Sequence, residues 1–537
     1  MPRPVPNPNS PCAGGLSAAA GLSALSSMLG LTKRKDAGKL DAIEGQVRVT
    51  TSKKEGADFG DLKLAQCLQV CTLWGGNKGL VSVNPRKRPI NHQPVCSPYG
   101  GKNTHTQIVQ AHDGPIWTMK FSLRGEFLAT AGQSGVVYVW AVGAAPAPAA
   151  AAAAAAEGAG GGADAGAVLD EVAAGPDVVK LLRLAPHRRF TDHIADVIDL
   201  SWNKENFLLS ASIDKTVRLW HVARAECLHV YPHVDCVTSV DFHPKADHLF
   251  VSGNFDKKLR VWNVTDGRVK EWANTPDMIT AACFNPEGTM AVAGLYRGQV
   301  FFYQTEGMKY YTQVECRNRH GALKGGKKVT GLCYDTTRPT APGGSAPAPA
   351  AASEQLLITT NDSRLRLYQT EDYSMVCKYK GLTNDHMQIK ATFSEDAAYV
   401  ISGSENGQVY IWKGAGPQQA GGGGPGAALA GLANLNGFKK DRNTAYEFFP
   451  ATEIGGANPP IVSVALFVPA AAVQQALKGT PQEQQVAQQH GGTDPRALMN
   501  KMVIASDYSG KIRVFQRHSL TAPSGAGAAA GAAPEGK

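Results

Sequence analysis

The sequence predicts an all-β protein: a seven-bladed β-propeller with low-complexity insertions and disordered tails. Two observations predict it. The first is a short pattern that recurs seven times, clearest at Ser210–Trp220, with copies at Ala131–Trp140, Ser252–Trp262, Ala293–Tyr303, Thr359–Tyr368, Ser402–Trp412 and Ala505–Phe515. Each copy runs from small or hydroxyl residues through a polar turn into an alternating β-run that ends on an aromatic. The second is the period. Closing aromatics stand 42 residues apart from Trp220 to Trp262, 41 from Trp262 to Tyr303 and 44 from Tyr368 to Trp412. A period of roughly 40–45 residues with this ending is the signature of WD40 propeller blades. Blades stack into one closed unit, so the 537 residues do not need several domains.

Taken in order, residues 1–61 read as a disordered basic arm. Residues 1–110 hold 14 Lys/Arg against 6 Asp/Glu, or +8 of the net +9. The propeller is thus close to neutral, which speaks against nucleic acid as a partner and leaves an anionic surface open to the arm. Residues 16–31 are apolar and acid-free, followed by Lys33, Arg34 and Lys35. That order is backwards for a secretory signal; a transit peptide, a membrane-contact helix and plain disorder are the readings left. No apolar run reaches about 18 residues, so no membrane span is expected.

The propeller is expected over residues 62–517, interrupted by insertions at about 71–106, 143–177, 339–353, 414–437 and 470–498. The inner strands are Ile116–Phe121, Val197–Trp202, Val237–Phe242, Ile279–Phe284, Ile389–Phe393 and Ile461–Phe467, with a fifth-blade strand at Val329–Tyr334. Seven copies of a three-strand pattern leave the outer strand of blade seven unsupplied after Phe515. Leu62–Val70 or Gln107–Gln110 is expected to return and fill it, Leu62–Val70 being preferred because Leu62, Leu64 and Leu68 share a parity. Residues 518–537 read as a disordered tail.

Several residues look chemical. His193 shares a repeat with Ser210, Asp214 and Trp220; His233 does so with Ser252, Asp256 and Trp262. A nucleophilic triad would occur once, whereas this set repeats. It is therefore read as a buried hydrogen-bond network within each blade. Blade one carries Ser134 where the others have Asp, so its network should be weaker. Gly321 to Lys328 nearly fits a phosphate-binding loop, but Lys328 replaces the Ser/Thr that would hold magnesium, and a strand follows instead of a helix. What remains is charge: Arg317, Arg319, Lys324, Lys327 and Lys328 in one loop, with Arg188, Arg189, Lys257 and Lys258, are the candidate partner-binding residues. Trp117 and Trp202 read as core, Trp272 as a surface anchor. The ten cysteines include no CxxC pair, and Cys67 and Cys71 have no partner set for zinc. No metal, no cofactor and no catalytic residue is expected, and the chain reads as reduced and intracellular.

The blade sequences go beyond the generic repeat. Ile116–Ser122, Asp199–Trp202, Ser212–Val222, Val237–Pro244, Tyr310–Gln313, Thr360–Tyr368, Gln388–Ala391 and Asp441–Asn443, together with Asp61–Gln66, resemble the WD repeat-containing protein 44 family. The four closing tryptophans are followed by Ala141, His221, Asn263 and Lys413, where the family usually has Asp. The resemblance implies a seven-bladed propeller and a partner among GTP-loaded Rab GTPases of recycling endosomes, with Rab and membrane contacts made ahead of the repeats. Because no acidic tract with two phenylalanines precedes the repeats here, no site residue is carried over. The expected function is a non-enzymatic scaffold, cytoplasmic or peripheral on endosomal vesicles, adapting a Rab-type GTPase or its effectors. The alternative is a scaffold or substrate receptor in a ubiquitin ligase or chromatin assembly.

Overall fold

The computed structural model describes residues 104–143, 179–183, 185–318, 325–335, 354–414, 445–451, 460–478, 480, 483 and 498–516. They form seven four-stranded antiparallel sheets, the seven blades of a propeller. Strand β1 (Thr104–Gln110) comes first. Blade one follows as β2 (Ile116–Phe121), β3 (Phe127–Gly132), β4 (Val137–Ala141) and β5 (Arg188–Phe190). Blade two is β6 (Val197–Trp202), β7 (Phe207–Ser212), β8 (Thr216–His221) and β9 (His229–Pro232); blade three is β10 (Val237–Phe242), β11 (Leu249–Asn254), β12 (Lys258–Asn263) and β13 (Arg268–Asn274). Blade four holds β14 (Ile279–Phe284), β15 (Met290–Leu295), β16 (Gln299–Gln304) and β17 (Lys309–Glu315); blade five holds β18 (Val329–Tyr334), β19 (Gln355–Thr360), β20 (Arg364–Gln369) and β21 (Met375–Tyr379). Blade six is β22 (Ala391–Phe393), β23 (Tyr399–Ser402), β24 (Gln408–Lys413) and β25 (Glu447–Pro450); blade seven contributes β26 (Val462–Phe467), β27 (Met502–Asp507) and β28 (Lys511–Gln516).

The ring closes on β1. It pairs antiparallel with β28 from Thr104↔Gln516 to Gln110↔Lys511, so the segment before blade one becomes the outer strand of blade seven. This corrects the preference for Leu62–Val70, which lies outside the described residues. Of the two segments considered, Gln107–Gln110 is the one that pairs, extended back to Thr104. The insertion expected to run to 106 therefore stops before Thr104. Parity of leucines is a weaker cue than chain economy, since Gln110 leads into blade one within six residues.

The insertion at 470–498 also departs from expectation. It opens as helix α1 (Ala470–Leu477), whose Ala470, Ala472, Val473, Ala476 and Leu477 are buried. The alanine-rich run that reads as a bulge is a helix because alanine is the best helix former and this one has an apolar face to bury. It packs with Val109 of β1, Leu128 and Trp140 of blade one, Leu498, and Val179, Leu181 and Leu182 from the far end of the blade-one insertion. Glu395 receives the Ala470 N–H at 2.7 Å, an anionic partner for the helix start. Gly125 permits the approach. It sits at φ +71°, and a Cβ there would come within 2.6 Å of the Ala472 nitrogen.

Elsewhere the core lies between consecutive sheets. Ala129, Ala131, Val137 and Val139 of blade one pack on Val197, Leu200, Leu208 and Trp220 of blade two. Strands buried on both faces explain why the inner and middle strands read as continuous apolar runs. Six inner strands carry a bulge at their second residue, namely Trp117, Ile198, Thr238, Thr280, Thr330 and Ser463. The three threonines among them donate to a backbone carbonyl of the neighbouring blade. Thr238 donates to the Ile279 carbonyl at 2.8 Å, Thr280 to that of Val329 at 2.6 Å, and Thr330 to that of Ile389 at 2.7 Å. Gln388 bridges the same belt, donating to the Thr280 and Thr330 carbonyls at 2.9 and 3.0 Å.

Candidate interaction sites

The repeated His/Ser/Trp set is assembled inside single blades. In blade two the Trp220 indole donates to Ser210 Oγ at 2.8 Å. His193 Nε2 meets the same oxygen at 2.7 Å, and its Nδ1 meets Asp214 at 2.7 Å. Burial alone would raise the Asp214 carboxyl, but its bonds to His193 and Thr216 outweigh that and hold it below the usual range. No substrate could reach Ser210, which is fully buried.

Blade three differs. Trp262 and His233 both meet Ser252 at 3.0 Å, but His233 Nδ1 turns to the Tyr231 carbonyl at 2.9 Å. Asp256, grouped with His233 in the sequence, pairs with Arg260 instead. Here the Arg260 guanidinium is placed to take the carboxylate as a charge-assisted pair. Asp–Arg pairs also stand at Asp362–Arg366 in blade five and Asp507–Arg513 in blade seven. In blade one Thr130 is the hub, taking Trp140 at 3.0 Å and His112 Nε2 at 2.9 Å; His112 Nδ1 reaches Ser134 at 3.3 Å.

Buried His112 makes stability pH-dependent. Burial lowers His112 from 6.5 to about 3. Between those values the unfolded chain binds more protons than the folded one, so stability is present above about 6.5 and falls as pH drops toward 3. The expected loss from His112 is about 2 kcal/mol at pH 5. Urea midpoints at pH 7.5 and 5.0, with and without His112→Asn, check it: the substituted chain should show the shallower acid slope.

Most of the basic candidates are engaged within the fold. Arg188 donates to the Val222 carbonyl at 2.8 Å, tying blade one to blade two. The Arg189 guanidinium lies 6.0 Å from the Tyr138 ring centre, and the Lys258 ammonium 4.3 Å from that of Trp272. Arg317 pairs with Glu315 at 2.9 Å. Lys327 and Lys328 are half-buried, on the segment where Gly326 packs against Gly298. Arg319 and Lys324 lie outside the described residues. Lys257 alone of the set is exposed on a turn without a partner role of this kind, its φ of 63° placing it at the tip between β11 and β12. Trp117 and Trp202 are buried, Trp117 donating to Asp196 and Trp202 to the Lys120 carbonyl, both at 3.0 Å; Trp272 is half exposed.

Sequence reasoning missed two features. One is a pair of aliphatics: Ile194 and Val234 stand 87% and 74% exposed. They occupy the same place in consecutive blades, directly after His193 and His233 and before the inner strands. The networks below pin these loops, and the Ile194 N–H itself donates to Asp214 at 3.3 Å. The other is a charged group in the axis. Lys390 pairs with Asp199 at 2.6 Å, beside Lys120 and Asp241. Burial alone would raise Asp199, yet the Lys390 and Lys120 ammoniums hold it low. Burial pushes Asp241 up to about 6, with Lys120 opposing. Single inner-strand positions carry no repeat signal, which is why these four were not found. Among the described residues no His, Cys, Asp and Glu gather to hold a metal ion, and no helix is long and apolar enough to cross a membrane.

Comparison with known proteins agrees with this architecture. The family model described as "WD domain, G-beta repeat" matches residues 102–141, 184–221, 225–263 and 380–413. The chain is 35% identical over 428 residues to WD repeat-containing protein 44 of Xenopus laevis, covering 75% of this chain and 43% of that protein. An uncharacterized WD repeat-containing protein of Schizosaccharomyces pombe is 30% identical over 298 residues, 55% of this chain and 47% of its own length. Jouberin of Rattus norvegicus is 27% identical over 238 residues, 42% of this chain and 21% of its own length. The chain thus spans less than half the length of these relatives.

Proposed function

The chain belongs to the WD repeat-containing protein 44 family of WD40-repeat proteins, and from that premise we propose that it is a non-enzymatic adaptor of intracellular vesicle traffic. It holds a Rab-type GTPase or an effector of one, in the cytoplasm or peripherally on endosomal membrane. The observation that supports binding by the ring itself is the pair Ile194 and Val234. Aliphatic side chains that exposed serve no packing role, and the loops that present them are held by buried hydrogen bonds. A partner meeting them therefore loses little loop entropy. Lys257, on a turn of the same face, adds a positive charge at the rim.

Proximity labelling in cells tests this with three chains: the full chain, the chain from residue 101, and the full chain with Ile194→Asp and Val234→Asp. The cut at 101 spares β1. Rab GTPases and endosomal proteins are expected with the full chain and at least fivefold weaker, by rough reckoning from lost hot-spot contacts, with the double substitution. Loss on removing residues 1–100 instead would place the contact in the arm. A set of ligase or histone subunits would overturn the trafficking reading.

A further inference from the structure

The axis of the ring holds a second site, independent of the loop face. A cavity of about 480 Å³ is lined by the fifth residues of four inner strands, Lys120, Asp241, Cys283 and Cys333, together with Asp199 and Lys390. Its remaining lining includes Leu123, Lys204, Pro244 and Pro286, all on loops that follow the inner strands. In an antiparallel blade those loops lie at the end opposite to Ile194 and Val234. At that other end stands the belt of Thr238, Thr280, Thr330 and Gln388, spanned by side-chain hydrogen bonds.

The hydrogen-bonding inventory of the cavity is lopsided. Asp199 is saturated: Oδ1 takes Lys390 at 2.6 Å and the Leu200 N–H at 3.1 Å, and Oδ2 takes Ser239 at 2.7 Å and the Val240 N–H at 3.2 Å. Asp241 takes Ser201 and the Phe284 N–H, each at 3.1 Å. Lys120 feels both carboxylates through space, enough to outweigh burial and raise its pKa. Its ammonium nevertheless donates to no protein group among the described residues. Protein surrounds it, yet it faces the open channel, and the residue counts as exposed. An ammonium has three donors and no acceptor, and none of the acceptors lining the cavity takes a hydrogen bond from this one. The wall beside it is apolar or weakly polar: Ala281, Ala282, Cys283, Leu332 and Cys333.

We propose that this channel binds a carboxylate side chain presented on an apolar peptide segment of a protein partner, with Lys120 as the charged donor and the Cys283–Cys333 wall taking the flanking apolar groups. A peptide fits better than a free small acid because the mouth is open and carries Leu123, 64% exposed, for the chain to continue across.

The site carries its own pH signature. The groups facing Lys120 are Asp199 from β6, Asp241 from β10, Cys283 from β14, Cys333 from β18 and Lys390 ahead of β22. Both thiols are pushed up by burial and stay neutral. Asp199 stays charged against Lys390. Burial lowers Lys390, with Asp199 opposing, and pushes Asp241 up to about 6. Protonating it removes a competing negative charge, while a peptide glutamate with a pKa of about 4.3 remains ionised. Binding should therefore tighten as pH falls through 6.

The test is fluorescence polarisation on the full chain with two labelled, end-capped pentapeptides, Gly-Leu-Glu-Leu-Gly and its Gln counterpart. The Glu peptide should bind roughly tenfold tighter, as a charge-assisted hydrogen bond implies, and Lys120→Met should erase the difference. Lys120→Arg should keep it. The Glu peptide should gain roughly threefold from pH 7.5 to 5.5, and Asp241→Asn should bring that gain to pH 7.5 and flatten the profile. Lys120→Met also removes a charge that Asp199 and Asp241 favour, so its urea midpoint should fall, and binding is compared where circular dichroism shows both chains folded. Equal binding of both peptides, no saturable binding at millimolar peptide, or a preference that survives Lys120→Met would each overturn the proposal. Glutarate binding as tightly as the Glu peptide would overturn the peptide as the ligand.

Discussion

A chain that begins at residue 111 should be less stable than one that begins at residue 101 by roughly 5 kcal/mol, because the difference between them contains β1. Val109 is fully buried, and losing one such side chain removes about 1.5–3 kcal/mol. Gln107 is bonded twice to Leu182, its Nε2 donating to the carbonyl at 2.7 Å and its Oε1 accepting the N–H at 3.0 Å. Both Leu182 groups would be left buried and unpaired, at about 1–3 kcal/mol each. The β28 edge would also open along its whole length, inviting association with other chains. Urea unfolding followed by tryptophan fluorescence measures the difference, and light scattering reports the edge. Equal midpoints for the two chains would mean that β1 does not close the ring.

That closure shows what the sequence could and could not say. The period of the closing aromatics reveals seven blades, because each blade repeats the same burial problem. A strand that completes a sheet from the other end of the chain has no copy to compare it with. Only pairing distinguishes Thr104–Gln110 from Leu62–Val70. Helix α1 is hidden for a related reason: its partners are Val109, Leu128 and Leu181, from three distant segments, and no window of sequence holds them together.

The networks were legible as a class and misread in one member. His193 and Asp214 meet, as their shared repeat suggests, but Asp256 leaves His233 for Arg260. Residue type and spacing give the same pattern in both blades; the outcome turns on geometry. Arg218 occupies the place of Arg260 in blade two but pairs with Asp192 at 3.6 Å, which leaves Asp214 to the histidine. The axial residues were illegible altogether. Lys120 and Asp241 stand fifth in their strands, Asp199 third and Lys390 just ahead of β22, with no charge that repeats from blade to blade, and only ring closure brings them to one cavity. Thr238, Thr280 and Thr330 were the available clue: a threonine in second place on three consecutive inner strands marks the residue the bulge turns toward its neighbour.

Ser210→Ala should destabilise the protein by roughly 3 kcal/mol without opening any surface site, which sets its effect apart from that of a partner-binding residue. The hydroxyl is a hub: one oxygen serves Trp220 at 2.8 Å and His193 at 2.7 Å. Removing it strands both an indole N–H and a ring nitrogen where Ser210, Trp220 and His193 are all buried, and each stranded group costs about 1–3 kcal/mol. Alanine leaves no room for water to replace the hydroxyl, since the removed volume is smaller than a water molecule. The damage should also travel. His193 would be anchored only through Nδ1, by Asp214 and a longer contact to Thr216, and the loop carrying Ile194 hangs from that ring and from the same carboxylate through the Ile194 N–H. Hydrogen exchange at Ile194 and Ala195 should therefore quicken at urea concentrations well below the global midpoint. Ser252→Ala, in a blade whose histidine has a carbonyl in place of a carboxylate, provides the comparison: it should cost less and leave exchange at residues 194 and 195 unchanged. A loss below about 1 kcal/mol for Ser210→Ala would show that solvent or a neighbouring group takes over the hub, and that the network does not hold the loop.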